Sequence, residues 1–236
     1  MPVDILALAA HRDDVEQTCA GTLLKMAERG HSTGILDLSK GEMGTRGSAE
    51  DRAREAAEAA RILKVSWRHA LDIPDGRVEN TWDNRLKVAR IIREQRPRVL
   101  ILPYWEGRHP DHYTASILGY EAAFLSGLSK LPLEGSPHRP YKIIYASLYR
   151  DVRPTFVVDI TDQFKARFAS VMAYKSQFTD QQAGSGIFPA QKEIRARVES
   201  MARFYGMMGG VTYAEPFVQK EVELVDDVLA IPVKSI

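Results

Sequence analysis

Apolar positions along this chain fall into two spacings. Residues 3–10, VDILALAA, form a near-continuous apolar run that suits a parallel strand covered on both faces. Val15, Cys19, Leu23 and Met26 then recur every three or four residues, which predicts one helix over 15–30 with Gly30 as its C-terminal stop. TGILDLS (33–39) predicts a second strand, followed by the glycine-containing loop KGEMGTRGS and the alanine-rich helical stretch AEDRAREAAEAARILK. SWRHALDI reads as a third strand, WDNRLKVARIIREQ as a helix stopped by Pro97, and RVLILPY (98–104) as a fourth strand. The second half of WEGRHPDHYTASILGYEAAFLSGL is again helical. This β-α-β-α-β-α-β-α succession with short links predicts an α/β fold: a Rossmann-like parallel sheet, core order 3-2-1-4-5, flanked by helices.

Beyond residue 140 the pattern loosens. KIIYASL and TFVVDIT predict further strands, and QFKARFASVMAYKSQF and PAQKEIRARVESMARFYGMM predict two more helices. The polar loop 179–187 between those helices is a candidate lid. With no repeat and no linker, residues 1–236 are expected to form a single domain. A chain of 236 residues can bury a core without disulfides, and its one cysteine, Cys19, falls on an apolar helix face and is expected to be core packing. The lone cysteine also fits a reducing cytoplasm. A net charge of +1 gives no electrostatic case for nucleic acid, and neither a membrane span nor a signal peptide is evident.

Against this background two polar clusters stand out. HRDDVE places His11, Asp13, Asp14 and Glu16 directly after the first strand, and RHPDH places Arg108, His109, Asp111 and His112 after the fourth. In the 3-2-1-4-5 order strands 1 and 4 are neighbours whose outgoing loops diverge and leave a ligand crevice. The clusters should therefore face each other. Together they offer His11, one of Asp13 and Asp14, and one of His109 and His112. Two imidazoles and a carboxylate leave a position open for water, as in a catalytic zinc site. A leftover carboxylate could act as base and a leftover histidine as acid or oxyanion stabiliser. Taken singly, an Asp in this position is an ordinary helix N-cap and Pro110-Asp111 an ordinary helix start. His31, His69 and His138 lack such neighbours. Gly41, Gly44 and Gly47 do not form a dinucleotide fingerprint. Arg46, Arg52, Arg54 and Arg108 gather at the same sheet edge, and Arg52 and Arg108 are placed to capture a carboxylate or phosphate.

At AHRDD (10–14) and HPDH (109–112) the sequence resembles the zinc-dependent N-acetylglucosaminyl deacetylases, the LmbE or PIG-L-like family. GEMGTRGSAEDRAREAAEAARILKV (41–65), AYKSQF (173–178) and ARFYGMMGGVTYAEPF (202–217) resemble its bacillithiol-biosynthesis branch, which deacetylates N-acetylglucosaminyl-malate. The resemblance spans essentially the whole chain. It implies that His11, Asp14 and His112 bind zinc and that Asp13 is the general base. It also implies that His109 polarises the amide carbonyl with Asp111 in support, and that Arg52 and Arg108 hold the malate carboxylates. Homo-oligomers, often hexamers, are implied too. Arg12 departs from the pattern, which has proline there.

Other readings share parts of this evidence. Another N-acetyl sugar could be the substrate, or the amide of a thiol conjugate. Two histidines and a carboxylate also suit Fe²⁺ or another divalent metal. A non-catalytic protein that binds a metal or a sugar nucleotide is a different class, and the spare Asp13 and His109 speak against it.

Overall fold

The computed structural model describes residues 2–148, 150–179 and 191–233. The expected lid, 179–187, lies outside the described residues beyond Thr179. The first half alternates as expected: β1 (Ile5–Ala9), β2 (Thr33–Asp37), α3 (Ala49–Ile62), β3 (Trp67–Ala70), α4 (Trp82–Gln95), β4 (Val99–Pro103), α5 (Pro110–Ser126) and β5 (Lys142–Ala146). Between β1 and β2 stand α1 (Asp14–Thr18) and α2 (Ala20–Glu28). The strands form one 7-stranded sheet in the order β3-β2-β1-β4-β5-β7-β6, with β6 at Phe156–Asp159 and β7 at Ala214–Val218. β3 through β5 run parallel, so the expected 3-2-1-4-5 core is present, and the fold is mixed α/β with helices on both faces.

The unbroken apolar runs follow from that layering. Along β1, Leu6 and Leu8 enter one core cluster with α4 and α5, while Ile5, Ala7 and Ala9 enter a second with Val15, Cys19 and Leu23. Cys19 is accordingly buried core. Helix ends match their local sequence. Ser48 and Asp51 form a reciprocal capping box on α3, and Thr81 caps α4. Past α2, Gly30 sits at φ 86° and His31 N–H donates to Met26 O, closing a Schellman turn.

Three expectations change. The predicted helix over 15–30 is two helices, broken at Cys19 (φ −137°). The cause is distant in sequence: the Glu215 carboxylate accepts Gly21 N–H (2.9 Å), Thr22 N–H (2.7 Å) and the Thr22 hydroxyl (2.6 Å), satisfying the first donors of α2. A Cβ on Gly21 would sit 2.9 Å from Ile160 Cδ1, so glycine lets the chains approach. Second, 164–178 divides into α6 (Phe164–Met172) and α7 (Lys175–Phe178), while α8 spans Gln191–Gly209. Third, β7 has no counterpart among the predicted strands. It lies antiparallel between β5 and β6, and Pro216 sits within it. β5 pairs only with Phe217 and Val218, so Pro216 stands past the end of that ladder, where a missing donor is tolerated.

Candidate metal centre

Because β1 and β4 are adjacent and parallel, their carboxyl ends deliver both polar clusters to one crevice. α1 starts at Asp14 and α5 at Pro110, so each cluster lies at the first turn of a helix leaving the sheet. Three side chains converge. His11 Nδ1 is 3.2 Å from His112 Nε2 and 3.6 Å from Asp14 Oδ2, and His112 Nε2 is 3.3 Å from Asp14 Oδ1. These three side chains form one group able to hold a metal ion. The donor set passes a chemical test: two imidazole nitrogens and a carboxylate meeting at one place are the ligand types of a three-residue divalent-metal site. A second possible group joins His11 to His109 and Asp111 through the other ring nitrogen.

That other nitrogen is already engaged. His11 Nε2 lies 3.1 Å from both Asp111 Oδ2 and Asp75 Oδ1. A carboxylate behind a ligating histidine fixes its tautomer and raises its basicity. Asp111 is itself held by Gly76 N–H (2.8 Å) and Val78 N–H (3.2 Å), and Asp75 accepts Met43 N–H (3.0 Å). Burial disfavours a charged His11 ring, but hydrogen bonds to Asp111, Asp14 and Asp75 outweigh it and push its pKa up to about 12. The crevice thus favours positive charge where the three donors meet. Burial likewise opposes the charge on Asp14, and the facing His112 and His11 hold its carboxyl well below the usual range.

Asp13 occupies a strained position. Its φ is 108°, a left-handed value that a non-glycine residue rarely adopts. The turn aims its carboxylate away from Asp14 and onto Arg52, whose Nη2 donates to Asp13 Oδ1 at 2.9 Å and to Arg12 O at 2.6 Å. Burial raises the Asp13 pKa to about 7 against the pull of Arg52 and with the push of Asp14. Arg52 differs from the expected malate clamp in being 5 % exposed: its Nη2 serves Asp13 and Arg12 O, while its Nε is buried with no hydrogen-bond partner among the described residues. Arg12 donates to Ala49 O (2.9 Å) and ties this loop to the first residue of α3.

His109 is the N-cap of α5, and its Nδ1 accepts Asp111 N–H at 3.2 Å. An accepting Nδ1 places the proton of the neutral ring on Nε2. Burial, with His11 and His112 close by, lowers the His109 pKa, so the ring stays neutral and remains an Nε2–H donor. Asp111 differs from the expectation here: it reaches His109 through its backbone, and its carboxylate serves His11.

Other arginines separate. Arg108 is exposed beside His109, and Arg46 is buried and donates to Gln177 O. Arg54 is exposed and pairs with Asp51. His138 Nε2 lies 2.8 Å from Pro97 O in a structural contact. Asp75 is the residue that motif reading misses. Its signal was the Pro74-Asp75-Gly76 turn after the third strand, at the same sheet edge as the other two clusters.

Residues 6–123 match the family described as PIG-L: GlcNAc-PI de-N-acetylase. The diacetylchitobiose deacetylase of Thermococcus kodakarensis is 30 % identical over 224 residues, covering 89 % of this chain and 80 % of the relative. The chain belongs to the PIG-L family of de-N-acetylases. Among solved structures, the conserved protein TT1542 from Thermus thermophilus is 41 % identical, with TM-score 0.86 over 95 % of this chain and 98 % of that one. The N,N'-diacetylchitobiose deacetylase from Pyrococcus horikoshii is 26 % identical, with TM-score 0.80 over 90 % of this chain and 82 % of that one.

Proposed function

We propose that this protein is a zinc-dependent hydrolase that removes the acetyl group from an N-acetylglucosamine conjugate. Family membership supports deacetylation of an N-acetylated sugar. The observation that carries the reading is the convergence of His11 Nδ1, Asp14 and His112 Nε2 beside an unligated Asp13 and an Nε2–H donor on His109. A site built only to bind a cation has no use for that base and that donor.

His11, Asp14 and His112 would hold the metal, with Asp111 and Asp75 fixing the His11 ring. A divalent cation held there would supply Lewis acidity to a carbonyl oxygen and to a water. Asp13 takes a proton from a water as the water oxygen attacks the amide carbonyl carbon. His109 Nε2–H donates to the carbonyl oxygen as negative charge develops on it. The proton held by Asp13 then passes to the amide nitrogen as the C–N bond breaks, giving a free amine and acetate. Arg52 acts through Asp13: it fixes the carboxylate's direction and keeps it available as a base.

The finer reading names N-acetylglucosaminyl-malate, as in bacillithiol biosynthesis, with exposed Arg108 as the cation nearest the aglycone. A second reading, an N-acetylated chito-oligosaccharide, is favoured by the diacetylchitobiose deacetylases among the relatives and by the burial of Arg52. Acetate release from N-acetylglucosamine, diacetylchitobiose and N-acetylglucosaminyl-malate separates them. A higher kcat/KM on the malate conjugate that falls in Arg108→Ala supports the first; preference for diacetylchitobiose supports the second. Release from none of the three rejects the deacetylase reading.

The same proposal takes residues 1–236 as one catalytic domain in the cytoplasm. Among the described residues no helix is long and apolar enough to cross a membrane. Self-association is included as well: the outer face of α5 exposes Tyr113, Ile117, Tyr120 and Phe124, a stripe at helical spacing that a second copy would cover. Light scattering on the native protein and on Ile117→Asp tests it.

A further inference from the structure

Beside the three donors the crevice has an apolar compartment. Asp14 and His112 form one end of a hollow whose other walls include Val15, Ile101, Pro103, Ala146 and Leu148. Its volume is about 20 Å³, room for one water or one methyl group. Away from Asp14, His112 and Thr18 the hollow offers a water no polar partner, because those five side chains present only apolar surface. The hydroxyl of Thr18, which also borders the hollow, already donates to Asp14 O at 2.9 Å. Val15, Ile101 and Ala146 are buried, and the last two lie on adjacent parallel strands, so the walls are held by the packed sheet.

The position of the hollow matters more than its size. In an amide, the first acyl carbon beyond the carbonyl lies two bonds from the carbonyl oxygen. A carbonyl oxygen at a cation held by Asp14 and His112 would bring its two substituents within reach of these walls, and of the two the acyl methyl, not the polar nitrogen, suits an apolar lining. We infer that the hollow is the acyl subsite, taking the methyl of an acetamide and excluding longer acyl chains. The inference rests on the deacetylase reading and specifies the acyl half of its substrate. Leu148, half-buried in the segment after β5, is the wall that can be altered without touching a strand or a metal-binding side chain.

The test uses zinc-loaded native protein, Leu148→Ala and Leu148→Phe, with N-acetyl-, N-propionyl- and N-butyrylglucosamine as substrates and the released carboxylate as readout. One methylene too many in an apolar pocket costs about 10- to 200-fold, so native kcat/KM should fall by that factor from acetyl to propionyl. Leu148→Ala should bring the two within about tenfold. Leu148→Phe should depress acetyl hydrolysis with bound zinc unchanged. A native protein that cleaves butyryl as readily as acetyl, or a ratio that neither variant moves, overturns the subsite. Calorimetric binding of acetate and butyrate to the same three proteins separates this inference from the reaction. If no sugar is cleaved but native protein prefers acetate and Leu148→Ala erases the preference, the subsite stands and the deacetylase reading falls. Equal binding of the two carboxylates by native protein overturns the subsite.

Discussion

Asp14 and Glu16 lie on the same short helix, yet their carboxylates end in opposite surroundings. Glu16 is fully buried and meets Arg68, whose Nη1 lies 2.7 Å from Glu16 Oε1 and whose Nε and Nη2 hold Asp37 at 2.8 and 3.0 Å. The Tyr174 hydroxyl adds a bond to Glu16 at 3.2 Å. Burial drives the Glu16 carboxyl up, and the facing Arg68 guanidinium draws it back. Asp14 faces two histidines instead, with no lysine or arginine among its ion-pair partners. One cluster is countered by an arginine, while the other faces imidazoles whose ring nitrogens could also hold a cation. Buried charge marks structure in the first case and chemistry in the second, and what separates them is whether the fold supplies the counter-charge.

The comparison breaks most visibly at the residues proposed to bind metal. His11→Ala, Asp14→Ala and His112→Ala should each lose bound metal and reduce acetate release to background, read by elemental analysis and product assay. Added cation at about 100 times its Kd should stabilise native protein by about 2.7 kcal/mol and leave these variants unmoved. An equal thermal shift in His112→Ala would remove that residue from the metal.

Asp13 belongs to neither cluster and sharpens the contrast. Asp13→Asn should retain metal and lose about 10²- to 10⁴-fold in kcat, the range for a missing general base. Loss of metal from Asp13→Asn together with retention by Asp14→Ala would exchange the two assignments.

In the self-balanced cluster the expected effect is on stability. Arg68→Met leaves two buried carboxylates without a cation and should cost about 3–5 kcal/mol by urea unfolding. Replacing Arg68, Glu16 and Asp37 together by apolar residues should cost less than Arg68→Met alone, because no uncompensated charge then remains. A triple variant less stable than the single one would mean that the network contributes stability of its own.

Backbone strain gives a smaller difference. Asp13→Gly and Asp13→Ala both remove the base and the Arg52 partner, but only glycine relaxes at φ 108°. The glycine variant should be more stable by about 1 kcal/mol, within the range for a strained non-glycine residue. Equal unfolding midpoints would show that the turn is not strained.

The smallest effect lies away from both clusters. Asp4 accepts Ser32 N–H and the Ser32 hydroxyl, each at 2.9 Å, and these bonds lower its pKa from 3.8. A carboxyl depressed in the folded state contributes stability above its unfolded pKa and loses it as pH falls through the folded value. Asp4→Asn should therefore cost a few tenths of a kcal/mol at neutral pH, after solvent screening, and flatten the decline below pH 4. An unfolding midpoint that falls equally in both proteins from pH 5 to pH 2 would exclude the Asp4 contribution.

Much of this architecture follows from local sequence. The alternation of apolar runs with helical periods determines the parallel core, because a strand buried on both faces and a helix buried on one each leave their own period in the chain. The strand order placed His11, Asp13, Asp14, His109, Asp111 and His112 at one crevice, since loops leaving neighbouring parallel strands share an edge. Tertiary structure alone decided the rest, where a partner distant in sequence outweighs local preference. Glu215 splits one predicted helix into α1 and α2, and β7 enters the sheet despite Pro216. Arg52 has the same charge whether it faces solvent or Asp13, so its sequence could not tell a substrate clamp from a positioning group. Asp75 joins His11 across a span that no spacing rule covers. Periodicity reports which face of an element is covered; the partner of a buried charge is set by the packing of distant segments, and in this crevice that pairing sets Asp13, held by Arg52, apart from Asp14, which faces the histidines.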